Sequence, residues 1–340
     1  MSNYDAISSR DRGKTLIVVE GNHEKNVLFH LLFRAFPELN IFMENVWIYG
    51  TNIYGLYNLI VKEYDEDWEY LDVDLPYIIS KKKTGMDIQY KRDFTNIFLV
   101  FDYERHDPNF SEQKIIKLQE YFSDSTDVGK LYINYPMIES YQQLRIDSER
   151  EYIDAKIPVI LQPGDKYKAL VKHYYIAKLV DYIERIPQLL KEHYGMGERI
   201  ANICMEKIFY LSDKHNVKDQ IREILTDNIE VEKIDTATYQ LCDWIQKMQY
   251  LNSNQNLYEY LRSIFIQIIK WNIIKARNIM TPEIECSFDK WSDYIEEIDL
   301  VEILQKQNEY SKDSENGFIY VLNTCVFLIV DYNTRLIEFS

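Results

Sequence analysis

The stretch Thr15–Glu24, TLIVVEGNHE, runs from a β-branched, apolar segment straight into Glu20, Gly21 and Glu24. A second stretch, Ile97–Asp107, IFLVFDYERHD, has the same form and ends in Asp102 and Glu104. Short apolar runs with polar boundaries read as strands buried on both faces of a parallel sheet. Open α/β sheets place their sites at the carboxyl ends of the strands. Glu20, Glu24, Asp102 and Glu104 are therefore predicted to share one small volume. Carboxylates so crowded repel unless a divalent cation neutralises them, and their hard oxygens suit Mg²⁺ or Mn²⁺.

The neighbouring segments extend this reading. Leu16–Val19 is the first strand, and Glu24–Phe36 carries Val27, Leu28, Leu31, Leu32 and Phe36 as the stripe of an amphipathic helix closed by Pro37. Val46–Tyr49 is a second strand, followed by Gly50 and Gly55 around a turn and a helix through Leu56–Glu63. Ile97–Phe101, a helix through Phe110–Phe122, and Leu131–Asn134 ended by Pro136 complete a βαβαβαβ alternation. That order predicts a small parallel sheet flanked by helices, an α/β class.

The connection Tyr64–Asp93 is too long for a tight loop. It begins acidic and ends basic, with Lys81, Lys82, Lys83, Lys91 and Arg92. It reads either as a solvated insertion or as a lobe whose basic end contacts phosphates beside the acids. From about residue 160 to residue 340 helical periodicity dominates. Leu170–Leu190 and Leu257–Ile279 are the clearest helices, and Pro187 is expected to bend or end the first. Gly317–Phe339 reads as a hairpin turning at Asp331–Thr334 or as a buried final helix. The expected organisation is a flexible 1–13, a metal-binding sheet domain over 14–150 with the insertion 64–93, and a mainly α-helical domain over 160–340.

Composition removes several classes. Cys204, Cys242, Cys286 and Cys325 form no CxxC pair, which argues against a zinc site. No GxxxxGK[ST] occurs, so the chain is not its own ATPase of that class. The first residues lack an apolar core, and the longest apolar run, Phe318–Val330, is broken by Asn323 and Thr324 and too short to span a bilayer. A soluble cytoplasmic protein, away from membranes, is expected. A net charge of −16 opposes indiscriminate nucleic-acid binding but leaves room for a local basic groove or for a partner that supplies one.

The acidic motifs have a physical logic. In EGxxE, Gly21 lets the backbone turn tightly and Glu24 falls in the first turn of the next helix. In DxE, a spacing of two puts Asp102 and Glu104 on one side of an extended segment. Glu139, after Pro136, reads either as a further ligand or acid of the same pocket or as a helix N-terminal carboxylate set against the dipole. His23 and His106 flank the cluster, as water- or phosphate-positioning groups or as loop histidines without a role.

Taken in order, strand–EGxxE, strand–GxxxxG (Gly50 to Gly55) and strand–DxE resemble the TOPRIM domain shared by topoisomerases, bacterial primases and OLD-family nucleases. The resemblance covers residues 15–140. It implies Mg²⁺ held by Glu20, Asp102 and Glu104, with Glu24 auxiliary; Glu104 stands where the family more often has Asp. The segment Tyr132–Tyr141, YINYPMIESY, with a helical half after it, looks most like the TOPRIM effectors of bacterial anti-phage systems, nearest the effector subunit of PARIS-type systems.

That resemblance implies a separate ABC-type ATPase partner and a toxic activity held silent until infection. A topoisomerase's tyrosine domain and a primase's zinc ribbon are both missing here, which leaves phosphodiester hydrolysis of DNA or tRNA. A homo-oligomer is expected. Two rival readings stand beside this one. The first is a non-catalytic TOPRIM scaffold that docks a partner. The second is a receiver-like phosphoacceptor domain, which would need a late-strand Lys where Asn134–Tyr135–Pro136 stands.

Overall fold

The computed structural model describes residues 14–144, 149–161, 164–284 and 286–338. The stretch 1–13, expected to be flexible, and Phe339 lie outside them. The first half contains β1 (Thr15–Val19), a π-helical segment Glu24–Phe29 running into α1 (His30–Ala35), β2 (Val46–Ile48), α2 (Ile53–Tyr64), α3 (Leu75–Lys82), β3 (Asn96–Asp102), α4 (Glu112–Tyr121), β4 (Ser123–Asp124) and β5 (Gly129–Asn134). A 3₁₀ turn, Ile138–Gln143, follows β5. The sheet order is β2–β1–β3–β5–β4, parallel except for β4. Every residue of β1 and all but the first of β3 are buried, which is why these strands are apolar runs and do not alternate. In the register, Val19 lies opposite Val100 and Asp102 opposite Asn134. The carboxyl ends of β1 and β3 therefore finish side by side.

The connection 64–93 is folded onto the sheet domain. Trp68 is buried and packs edge-on against Tyr57 and Tyr121, and α3 buries Leu75, Ile78 and Ile79. One oxygen of Asp74 caps α3 through Tyr77 N (3.0 Å) and also accepts from Lys91 N (2.9 Å), tying the two ends of the insertion together.

The second half contains α5 (Glu149–Ile153), β6 (Lys156–Pro158), α6 (Asp165–Val171), α7 (Tyr175–Glu192), α8 (Glu198–Phe209), α9 (Val217–Thr226), α10 (Val231–Lys247), α11 (Leu257–Met280), α12 (Leu300–Tyr310), β7 (Phe318–Tyr320) and α13 (Leu328–Tyr332). One expectation is corrected here, and one alternative falls in each of two others. The helix expected over Leu170–Leu190 is two helices, broken between Val171 and Tyr175. Pro187 does not end α7, which continues to Glu192. The stretch from Gly317 makes no hairpin at Asp331–Thr334. Its strand β7 pairs antiparallel with β6, a partner far back in the chain, and the chain then enters 3₁₀ turns and the short α13.

The second half packs directly on the carboxyl end of the sheet. Tyr103 Oη donates to Asn308 (2.6 Å), and Arg105 Nε donates to Ser311 Oγ (3.2 Å). Asn323 and Thr324, which break the last apolar run, donate to the carbonyls of Ile138 (2.9 Å) and Ile133 (2.8 Å). Both are buried, and they satisfy backbone groups where β5 ends. No helix of the described residues is long and apolar enough to cross a membrane.

Candidate metal centre

Glu20 follows β1 and Asp102 ends β3, so strand pairing alone makes them neighbours. Asp102 N donates weakly to Glu20 Oε2 at 3.5 Å. Past Asp102 the chain turns tightly, with Glu104 N bonded to Asp102 O (3.0 Å) and Arg105 N to Tyr103 O (2.7 Å). Tyr103 points to the helical half, while Glu104 faces back with Asp102, the alternation expected of a two-residue spacing. One carboxylate oxygen from each of Glu20, Asp102 and Glu104 lies within 4.8 Å of the other two.

The remaining acids border this trio. Glu24 is buried, and its Oε2 accepts from Gly21 N at 3.1 Å. A Cβ on Gly21 would stand 3.2 Å from that oxygen, so glycine permits the close approach. Asp102 Oδ1 accepts from Ile138 N at 2.8 Å, which fixes one oxygen and leaves the other for a ligand. Glu139, in the turn after β5, is buried. Its Oε1 pairs with Lys168 Nζ at 3.3 Å, and its Oε2 has no hydrogen-bond partner among the described residues.

Burial and mutual repulsion set the electrostatics. Burial, then the charges of Glu104 and Glu24, push the Glu20 carboxyl up to about 8. Burial and the surrounding acids, Glu20 foremost, push Asp102 well above the usual carboxylate range. Burial raises Glu24 and Glu104 as well. Burial works against the charge of Lys168, but Glu139 and the acids beyond it hold its pKa above the ordinary value. His23 is lowered by burial, and its Nε2 is enclosed without a partner among the described residues. His106 stands at the surface, lowered by burial and by Arg105.

Most of the basic residues of the insertion are engaged. Lys81 pairs with Glu63 (2.7 Å), and Lys91 with Asp72 and with Asp127 (3.5 Å). Lys83 Nζ donates to the Ile48 carbonyl, and Lys25 Nζ to that of Val46 (2.7 Å). These carbonyls lie on the free edge of β2, so the two lysines cap an exposed strand edge. Lys82 and Arg92 instead rest over the rings of Tyr49 and Tyr90, 5.0 and 4.9 Å from the centroids.

Sequence reasoning missed Lys168. It sits in a charged segment of the helical half, where a lysine reads as solvated, and only the fold brings it to Glu139. Two cavities of about 690 and 700 Å³ lie between α1 and the helices α7, α8 and α11, and Arg34 and Glu206, an ion pair, line both.

Comparison of the chain with protein-family models, with curated proteins and with solved structures gives no match. The donor set itself fits a hard divalent cation. It offers carboxylate oxygens alone, and the opposite ligands of a Mg²⁺ shell stand about 4.2 Å apart, twice the usual bond length. That span is comparable with the spread of the trio.

Proposed function

We propose that this chain is a divalent-cation-dependent nuclease that hydrolyses phosphodiester bonds of DNA or tRNA. The observation that carries this reading is the convergence of Glu20, Asp102 and Glu104 within 4.8 Å at the carboxyl edge of a parallel sheet. Such a group is costly to assemble for structural reasons alone, since burial and like charge both oppose ionisation. Glu20, Asp102 and Glu104 would hold Mg²⁺ or Mn²⁺. The bound ion would polarise the scissile phosphate and supply an acidified water.

The protein's own groups set the stage for that chemistry. Ile138 N–H holds one oxygen of Asp102, so its other oxygen has a fixed direction. Gly21 N–H holds Glu24 at the border of the trio, within reach as an auxiliary acid or base. Packing of the helical half against Tyr103 and the turn after β5 keeps bulk water from the rear of the site.

The resemblance to TOPRIM effectors extends the proposal. In that setting the nuclease is a toxic effector of anti-phage defence, and the helical half is its surface for self-association or for an ABC-type ATPase.

The test is direct. Purified chain is incubated with supercoiled plasmid and with tRNA, with and without Mn²⁺, beside Asp102→Asn. Cation-dependent cleavage by the wild type and its loss in the variant are expected. Equal cleavage by both proteins, or none by either, would overturn the reading, and the second result would favour the non-catalytic scaffold.

A further inference from the structure

A lysine from the helical half faces the acidic cluster, and its placement has consequences for any cation that enters. Lys168 lies on α6 and reaches Glu139 at 3.3 Å. Its neighbour Tyr167 is buried and donates from Oη to Gln143 Oε1 at 2.7 Å. Two consecutive residues of α6 are thus fastened to the one turn, Ile138–Gln143, that also fixes Asp102 through Ile138 N. The Lys168 charge acts on Glu139 first, then on Asp102 and Glu24. It opposes in part the same repulsion that a bound metal would oppose.

Glu139 is the second observation. Its side chain is only 7% exposed, one oxygen is held by Lys168, and the other is enclosed without a partner among the described residues. An enclosed, unpaired carboxylate oxygen is unfavourable and calls for an explanation. Glu139 directly follows Ile138, whose N–H holds Asp102 at 2.8 Å, so Glu139 borders the trio.

We propose that Lys168 is a tethered counter-ion that competes with a divalent cation for the acidic cluster, so that occupation of the metal centre weakens the Lys168–Glu139 pair and loosens α6 from the sheet half. The inference rests on the cation site proposed above. Its physical basis is Coulombic. A divalent charge among Glu20, Asp102 and Glu104 repels the nearby ammonium and draws Glu139 toward itself. The competition is reciprocal by linkage: whatever the cation does to the pair, the pair does to the affinity for the cation. Because α6 belongs to the helical half, the pair is a physical route by which that half senses the state of the site.

The experiment is a calorimetric Mn²⁺ titration of the full-length wild type, Lys168→Met and Lys166→Met at fixed pH and salt. Lys166 is an exposed lysine of the same helix and controls for the loss of one positive charge. Lys168→Met should bind Mn²⁺ about fivefold more tightly or better, with Lys166→Met unchanged. Hydrogen exchange over residues 165–171 gives the second readout. It should quicken on Mn²⁺ addition in the wild type and be insensitive to Mn²⁺ in Lys168→Met. Unchanged or weaker binding by Lys168→Met, or exchange in the wild type that Mn²⁺ leaves unchanged or slows, would overturn the proposal while leaving the cation site standing. Absence of Mn²⁺ binding in all three proteins would remove both.

Discussion

The acidic edge of β1 and β3 and the basic end of the insertion are two runs of charge that the fold treats in opposite ways. At the acidic edge, strand register gathers Glu20, Asp102 and Glu104 into one volume, and Lys168 opposes them from the helical half. In the insertion, Lys81 and Lys91 find carboxylates, and Lys83 caps the free edge of β2. The difference is one of constraint. Residues at neighbouring strand ends cannot escape each other, whereas long side chains on a surface insertion can reach a partner. A charge run in a sequence therefore says little about surface potential unless the backbone fixes where the charges go.

The largest effect should fall on the acidic edge. On the proposed function, Asp102→Asn or Glu20→Gln lowers cleavage at least about 100-fold, measured by plasmid and tRNA end formation. Lys91→Ala, which breaks a surface pair, should leave cleavage near the wild-type rate. A similar loss in both would erase the contrast between the two regions.

Next comes the response to cations and pH. A ligand present at about 100 times its dissociation constant stabilises by about 2.7 kcal/mol, and Mn²⁺ at that level should raise the melting temperature by about 4 °C. Glu20 has its pKa raised from an ordinary 4.5 to about 8, so between those values the folded state binds more protons than the unfolded one. Stability without metal should therefore fall as pH rises through that window and level off above it. The Mn²⁺ gain should be larger at pH 8.5 than at pH 6, because the ion must displace fewer protons. Calorimetric scans at the two pH values check both signs.

A smaller effect is expected on the metal-free fold. Glu20→Gln removes one charge from a repulsive cluster, and its melting temperature at pH 8.5 should exceed that of the wild type by about 2 °C. The gain should shrink at pH 5, where the wild-type carboxyl is already protonated. A loss of stability at both values would mean that Glu20 is held by favourable contacts.

The smallest effect concerns the insertion. If Lys82 and Arg92, which rest on tyrosine rings and not on carboxylates, meet phosphates, Lys82→Glu with Arg92→Glu should reduce the slope of log affinity against log salt by about 1.4. Lys91→Ala should leave the slope unaltered. The reverse ranking, by fluorescence anisotropy with labelled single-stranded DNA, would show that ion pairing in the free protein does not decide which lysines bind.

What the sequence disclosed follows the same division. β1 and β3 were legible because burial on both faces leaves an unbroken apolar run, and the acids were legible because they terminate it. The two-residue β4 leaves no pattern of its own. β7 was not legible because its partner β6 lies far back in the chain, a pairing that no local period encodes. The break between α6 and α7 interrupts a stretch whose helical period continues across it. Pro187 does not end α7 for a physical reason: it removes one donor, and burial of Ile183, Ile186 and Leu190 holds the helix together through it. Lys168 was invisible because a lysine on an amphipathic helix reads as solvated until the fold sets a buried Glu139 beside it.

The most direct test of the central claim is an anomalous difference map from crystals of the wild-type chain grown with Mn²⁺. The account predicts a peak about 2.2 Å from carboxylate oxygens of Glu20, Asp102 and Glu104, and no peak there in crystals of Asp102→Asn. Mn²⁺ bound elsewhere, with the three carboxylates left to protons or to Lys168, would contradict it.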